Sequence, residues 1–462
     1  MPDQPAETLL GLDLGTTRIK AVLIDPAGVE RATAAGPTPF ATGPEGAEMT
    51  VDDLLAAVAA VLERLGPRRA AVAAVGVAGM AECGAPLDLA GQALGPVIAW
   101  YDPRGAEVVE RLVRDGGEAL AERTGRRLRT VSSVAKLGWW VERAGRPPGG
   151  WLGVPELCVH ALGGAAVTDP SLASRTGWYD VAARAYLSDV AAAIGVPVSA
   201  LPPVVAAGSV AGRVSAAAAA WSGLAAGVPV TPAGHDHLAA AAGCGAGPAD
   251  LVDSVGTAES LVRRLPGAER LLPGTLAQAL ELGAAVSARP DGDGWAVLGR
   301  GPRAGTVLAA VAAALGSPPL EELDAAAVEG ASLEVAGMVD AVLGGEEPSL
   351  PSAPRGELWG AVLEELARRT AAAAALCARL AGPAERVLVV GGGARSLPWL
   401  RAKARRLPAP LWRAGTGEAA ARGAAVAAGV AAGWWPDAGA APPPALEPVV
   451  AASSQPGARS AG

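Results

Sequence analysis

The sequence predicts an α/β protein built from two lobes. Three observations carry this expectation. Short apolar runs alternate with stretches of helical periodicity along most of the chain. An acid in a strand followed by a Gly-Thr turn occurs in LDLGTT at 12–17 and again in DSVGT at 253–257, an echo that fits a duplicated unit. The chain has 462 residues, 51% hydrophobic against 18% charged, which is enough apolar side chain to fill more than one core.

The elements follow in order. Residues 9–14 and 19–24 are apolar runs around Gly-Thr-Thr and read as a β-hairpin with a phosphate-sized turn. Residues 52–65 are helical by periodicity, with Asp52 as a candidate cap. A buried strand is expected at 72–77, closing at Gly79, and a short one at 97–100 before the polar loop YDPRG. Helical periodicity returns at 131–143, and residues 228–231 form a strand entering GHDH. The second hairpin covers 251–254 and 261–262. A long Ala-rich helix at 357–380, a strand at 386–390 opening into GGGARS and a helix at 414–432 complete the pattern. These readings place one lobe at 8–243 and a second at 244–433. The remainder, 434–462, is rich in Pro, Ala and Ser and is expected to be disordered.

Composition removes several function classes. A net charge of -8 leaves no fold-wide basic patch, so a nucleic-acid partner is not expected. Cys83, Cys158, Cys244 and Cys377 lack CxxC spacing, which argues for buried reduced thiols over a disulfide framework or zinc site. The N-terminus lacks the basic region of a signal peptide. The uncharged stretches 190–212 and 214–234 are rich in Ala, Gly and Pro, which suits core and loops better than a membrane span. A cytoplasmic protein without a membrane partner is the expectation.

Five motifs carry chemistry. In GLDLGTTRIKAVLID, the Gly15 turn offers backbone N–H groups and the Thr16 and Thr17 hydroxyls to a polyphosphate. Asp13, just before it, is placed to hold Mg²⁺ through water. DSVGTAES supplies a second such turn at Gly256 and Thr257. VLVVGGGARS follows a strand with three glycines, which lets backbone lie flat against adenine and ribose. In AGHDHLAAAAG, Asp236 begins a small-residue helix, where the helix dipole keeps a carboxylate ionised and ready to accept a hydroxyl proton. VAGMAECGAPLD and VIAWYDPRG bring Glu82, Trp100, Asp102 and Arg104 to two strand ends, a set suited to gripping a polyol. Taken singly, each motif also fits a plain structural role: an ordinary hairpin turn, a helix cap, a core tryptophan. Neither a P-loop nor a GxGxxG fingerprint is present.

In order along residues 9–429, GLDLGTT, AWYDPR, SSVAKLGWW, TDPSLASRT, GHDH, DSVGT and GGGARS resemble the FGGY carbohydrate kinases, which include xylulokinase, gluconokinase and glycerol kinase. The resemblance implies two actin-like, ribonuclease-H-like lobes around an interlobe catalytic cleft, with ATP and Mg²⁺ as cofactors. It implies Asp236 as catalytic base. It assigns Asp13, Thr16, Thr17 and Arg18 to a first phosphate loop, and Gly256 and Thr257 to a second. Gly392, Gly393, Ala394 and Ser396 fall at the adenosine site, and Glu82, Trp100, Asp102 and His237 at substrate contacts.

Three departures stand out. AGMAECG replaces the xylulokinase SGQMHG pattern, GRGPRAG replaces a Gly-rich helix start, and residues 263–356 look trimmed. The negative charge of Glu82, with Asp102 and Asp236, is expected to favour a neutral sugar or polyol acceptor, xylulokinase-like, with Arg104 the residue able to cancel it. The alternatives are a gluconokinase-like aldonate kinase, with Arg104 or Arg175 meeting the carboxylate, and a catalytically silent actin-like regulator. A homodimer is compatible with the sequence.

Overall fold

The computed structural model describes residues 7–450 apart from 257 and 268–269. It divides into two compact units with discontinuous membership. The first comprises Met1–Pro248, Val262–Leu298 and Thr416–Pro444; the second comprises Ala249–Leu261, Gly299–Gly415 and Ala445–Gly462.

The first unit is centred on a sheet whose order is Gly212–Arg213, Pro229–His235, Val72–Gly79, Thr8–Leu14, Arg18–Ile24 and Glu30–Pro37. Thr8–Leu14 pairs antiparallel with Arg18–Ile24 and parallel with Val72–Gly79, which in turn runs parallel to Pro229–His235. The hairpin expected at the start therefore forms, with Leu14 opposite Ile19. Thr8–Leu14 is buried throughout, as a strand covered on both faces must be. A smaller antiparallel sheet, Ala41–Gly43, Gly46–Met49, Val97–Ile98, Gly84–Leu87 and Gly150–Gly153, carries the loops that hold Glu82 and Trp100.

The helix Ala419–Ala431 covers one face of the larger sheet. Alanine and glycine dominate it because its backbone approaches the strands too closely for larger side chains. A Cβ built on Gly11 would lie 1.8 Å from the carbonyl oxygen of Ala421, and one on Gly76 would lie 1.9 Å from that of Ala424. The helix Asp236–Gly243 packs against it in the same way, since a Cβ on Gly423 would fall 1.8 Å from the Ala239 carbonyl oxygen. Close backbone approach recovers by dispersion what small side chains lose in buried area. This contact places Thr416–Pro444 in the first unit, correcting the expected continuous second lobe at 244–433.

In the second unit, the strands Asp250–Val255, Arg386–Val390, Leu411–Ala414 and Leu446–Pro448 lie side by side in that order. Asp250–Val255, Arg386–Val390 and Leu411–Ala414 run parallel. The helix Arg355–Ala381 spans the long Ala-rich stretch. Two local expectations shift. Thr50, not Asp52, caps the first helix, its hydroxyl accepting from the Asp53 N–H. The last long helix starts at Ala419, because residues 411–414 pair as a strand instead.

The expected disordered tail is corrected over 434–450; residues 451–462 lie outside the described ones. Trp435 is buried against Gly429 and Leu9. Asp437 caps a short turn of 3₁₀ helix, Ala438–Ala440. Arg422, itself 1% exposed, donates to the carbonyls of Gly243, Gly28 and Pro442. Leu446–Pro448 then pairs antiparallel with Leu411–Ala414. A Pro- and Ala-rich composition hid two tryptophans and a capping aspartate with surfaces to bury.

All four cysteines are buried, and no helix among the described residues is long and apolar enough to cross a membrane. Trp435→Ala should destabilise the protein by about 3–5 kcal/mol, read as a lower denaturant midpoint at unchanged slope.

Candidate active site

The Gly-Thr-Thr turn is braced from below by Thr38. Its N–H donates to the Thr17 carbonyl at 3.0 Å and its hydroxyl to the Gly15 carbonyl at 2.6 Å. Thr17 and Arg18 are left exposed at the tip. Thr16 accepts a 2.9 Å hydrogen bond from the Trp100 indole N–H, so the expected sugar-side tryptophan is tied to the expected phosphate loop.

Asp13 is buried, and its Oδ1 has no hydrogen-bond partner. Lys20 lies 3.8 Å from its Oδ2 and 2.8 Å from Glu418. Burial pushes the Asp13 carboxyl up to about 7; Lys20 opposes this, while Asp236 and Glu418 add to it. Burial works against the Lys20 charge too, but Asp13 and Glu418 prevail and raise its pKa. An orphaned carboxylate oxygen among further carboxylates is a fitting donor for a water-bridged Mg²⁺.

Asp236 opens the helix Asp236–Gly243 at the end of the strand Pro229–His235. Its Oδ1 accepts from His235 Nε2 at 2.9 Å and from the His237 backbone N–H at 2.7 Å, with His237 Nε2 at 4.0 Å. Burial alone would raise its pKa, but His237 and His235 outweigh burial and hold it well below the usual carboxylate range. Burial, with His235 and Arg175, keeps the His237 imidazole below its ordinary value and hence neutral near pH 7. Behind them, Ser171 accepts from the His235 N–H at 2.9 Å and donates to Asp169. Burial pushes Asp169 up to about 6.

Glu82 adopts a left-handed backbone (φ 74°). Arg126 and Arg175 both pair with its Oε1, Arg175 at 3.2 Å. The expectation of an unbalanced negative charge at Glu82 is therefore corrected: two guanidiniums balance it, and Arg104 is not one of them. Arg104 binds Glu48 and Asp102 instead.

Asp102 is corrected as a substrate contact. It is 1% exposed, with Oδ1 accepting from the Arg104 backbone and side chain and Oδ2 from the Ala47 N–H. Those bonds engage both oxygens in shaping the loop. Lys136, fully buried, donates to the carbonyls of Asp102, Thr130 and Arg104, and burial lowers it to about 8.

In the second unit, Gly256 lies in the turn after Asp250–Val255; Thr257 is outside the described residues. Gly391 (φ 91°) precedes a 3₁₀ turn, Gly392–Arg395, holding Gly392, Gly393 and Ala394; Ser396 occupies the position before the next helix without a side-chain capping bond. A Cβ on Gly393 would lie 2.4 Å from the Val255 side chain, so only glycine lets this turn pack on the Gly256 hairpin. Beneath it, Lys403 bonds Asp253 and Glu259 with no solvent exposure. Burial, then Asp253, raises Glu259 against the pull of Lys403.

The TDPSLASRT and GHDH motifs contain Arg175 and His235, but nothing in the sequence identifies their partners. Thr38, Arg126 and Glu418 carried no signal, because each reaches the site only through tertiary approach.

A family model for the N-terminal domain of the FGGY family of carbohydrate kinases matches residues 8–243, and the chain belongs to that family. It is 30% identical over 273 residues to L-fuculokinase from Escherichia coli, covering 56% of this chain and 57% of that protein. It is 31% identical over 263 residues to xylulose kinase from Streptomyces coelicolor, covering 54% and 52%. These alignments span about half the length of the curated relatives. A solved structure described as a xyloylose kinase from Brucella ovis superposes with TM-score 0.80 at 24% identity, over 96% of this chain and 94% of that one. This likeness establishes the fold as two actin-like lobes.

A native pKa near 7 against an unfolded value of 3.8 means that folded Asp13 holds a proton the unfolded chain releases. Stability should fall as pH rises from about 4 to 7 on this account. Asp13→Asn, measured by thermal denaturation without nucleotide, should match the wild type near pH 4 and exceed it at pH 8.

Proposed function

We propose that the chain is an ATP-dependent kinase that transfers the γ-phosphate of ATP to a hydroxyl of a sugar or polyol, with Asp236 as general base. The observation that carries this reading is Asp236 itself, ionised between two histidines in the same unit as the braced Gly-Thr-Thr turn. The acceptor hydroxyl would attack the γ-phosphorus, its proton passing to Asp236 as the bond to the departing ADP oxygen breaks. A base of low pKa serves here, because in a loose transition state the hydroxyl becomes strongly acidic only as the new P–O bond forms.

Thr16, Thr17 and Arg18 would hold phosphate in the first unit, and Gly256 and Thr257 in the second. Gly392, Gly393, Ala394 and Ser396 would take adenosine, Ser396 having a buried hydroxyl without a partner. Asp13 would hold Mg²⁺ through water, its orphaned Oδ1 being the support. The ion would supply charge neutralisation on the phosphates. Trp100 and His237 would line the acceptor.

With Glu82 balanced by Arg126 and Arg175, the electrostatic reason for preferring a neutral acceptor falls away. An aldonate stands beside the ketoses that the names L-fuculokinase and xylulose kinase bring forward. A coupled ADP-release assay with D-xylulose, L-fuculose, glycerol and D-gluconate tests the reading; no acceptor-dependent ADP from any of them would point to the silent regulator. Asp236→Asn should keep ATP affinity and lose about 10²–10⁴-fold in turnover. A variant holding more than about a tenth of wild-type turnover would remove Asp236 from the role of base.

A further inference from the structure

We infer that Arg126 and Arg175 are positioning residues for the acceptor, jointly holding the Glu82 carboxylate and presenting guanidinium N–H groups beside it to a vicinal polyol. The inference rests on the kinase reading above.

Glu82 is one of three non-glycine residues among the described ones with positive φ, and the only one of them whose side chain meets two arginines. Left-handed backbone is unfavourable for a residue with a Cβ, and such strain persists where surrounding structure over-determines it. Here the determinants come from separate elements. Arg126 follows the helix Ala106–Thr124, with its backbone fixed by Ala121 and the Thr124 hydroxyl. Arg175 follows Pro170–Ala173, with its N–H on the Leu172 carbonyl.

The backbone flanking Glu82 has supports besides the arginines. Met80 N–H donates to the Leu14 carbonyl, and Val154 N–H to that of Cys83. Although burial raises it, the Glu82 carboxyl is held below the usual carboxylate range because Arg126 and Arg175 outweigh desolvation.

Two cations on one buried carboxylate would be a poor purely structural device, since an isolated ion pair needs one partner. The surplus is accounted for by Asp236, whose charge acts on Arg175. Glu82, Asp236, Arg126 and Arg175 thus form a charge-balanced set of two acids and two bases. Each guanidinium has five donors and commits few of them to Glu82; Arg175 Nε is buried without a partner. Hydroxyls both donate and accept, so carboxylate and guanidinium side by side match neighbouring hydroxyls of a sugar chain.

The test is steady-state kinetics on full-length protein with D-xylulose, L-fuculose, glycerol and D-gluconate. Arg126→Ala and Arg175→Ala should each raise acceptor KM by about tenfold or more, leaving KM for ATP within about twofold. Arg126→Lys should recover part of the loss. In a Glu82→Ala background, Arg126→Ala should add little, because coupled residues fail to add. Unchanged acceptor KM, or acceptor and ATP KM rising together with a lowered Tm, overturns the inference.

Thermal stabilisation by the same four compounds gives a readout independent of turnover. Stabilisation of the wild type but not of the arginine variants, without ADP release, would keep the inference and sink the kinase reading. Equal stabilisation of all variants, or of none including the wild type, would sink the inference.

Discussion

Backbone-to-backbone packing of the helix Ala419–Ala431 is the constraint on which the first unit depends. Gly11 and Gly76 face it from adjacent strands, and Gly423 faces the helix that begins with Asp236. Any Cβ at these positions would require backbone to move, not a side chain to rotate. Interiors at crystal-like density transmit such a shift instead of absorbing it. Asp13 lies two residues beyond Gly11 on the same strand, so this carboxylate and the proposed base are both referenced to one helix. Arg422 on that helix adds a polar fastening, satisfying the Gly243 carbonyl at the end of the Asp236 helix.

Burial does not decide the state of the carboxylates; their partners do. Asp13, Glu82 and Asp236 are all desolvated, yet only Asp13 is pushed up. Glu82 has two guanidiniums and Asp236 two imidazoles with a backbone N–H, whereas Asp13 shares a single ammonium with Glu418. The under-compensated acid is the one with an oxygen left over for an ion, and the well-compensated one is the candidate base. The same logic holds in the second unit, where one ammonium, Lys403, serves both Asp253 and Glu259 beneath the Gly256 hairpin.

The proposed sugar side and the Gly-Thr-Thr turn share supports. The Trp100 indole holds Thr16, its backbone N–H donates to Cys83, and Cys83 follows Glu82 directly. A shift in the Glu82–Cys83 loop would therefore be felt at the Gly-Thr-Thr turn.

The sequence by itself determined the alternation of strands and helices, the first hairpin and the order of the motifs. Periodicity and turn chemistry act between near neighbours in the chain, and LDLGTT or VVGGGARS specify their local geometry within a few residues. It also placed Asp236 at a helix start, where the dipole already favours an acid. Only the tertiary structure decided which charges meet. Asp102 looked like a ligand and became a buried brace for its own loop, and Arg104 went with it. Glu82 found Arg126 and Arg175 from segments 44 and 93 residues away along the chain. Residues 434–450 looked like a tail and became strap and strand, because Trp435 and the Pro442 carbonyl had partners folded against the N-terminal strands. Composition reports how much a segment can bury. Whether a matching surface exists depends on contacts far apart in sequence, and no local pattern encodes those.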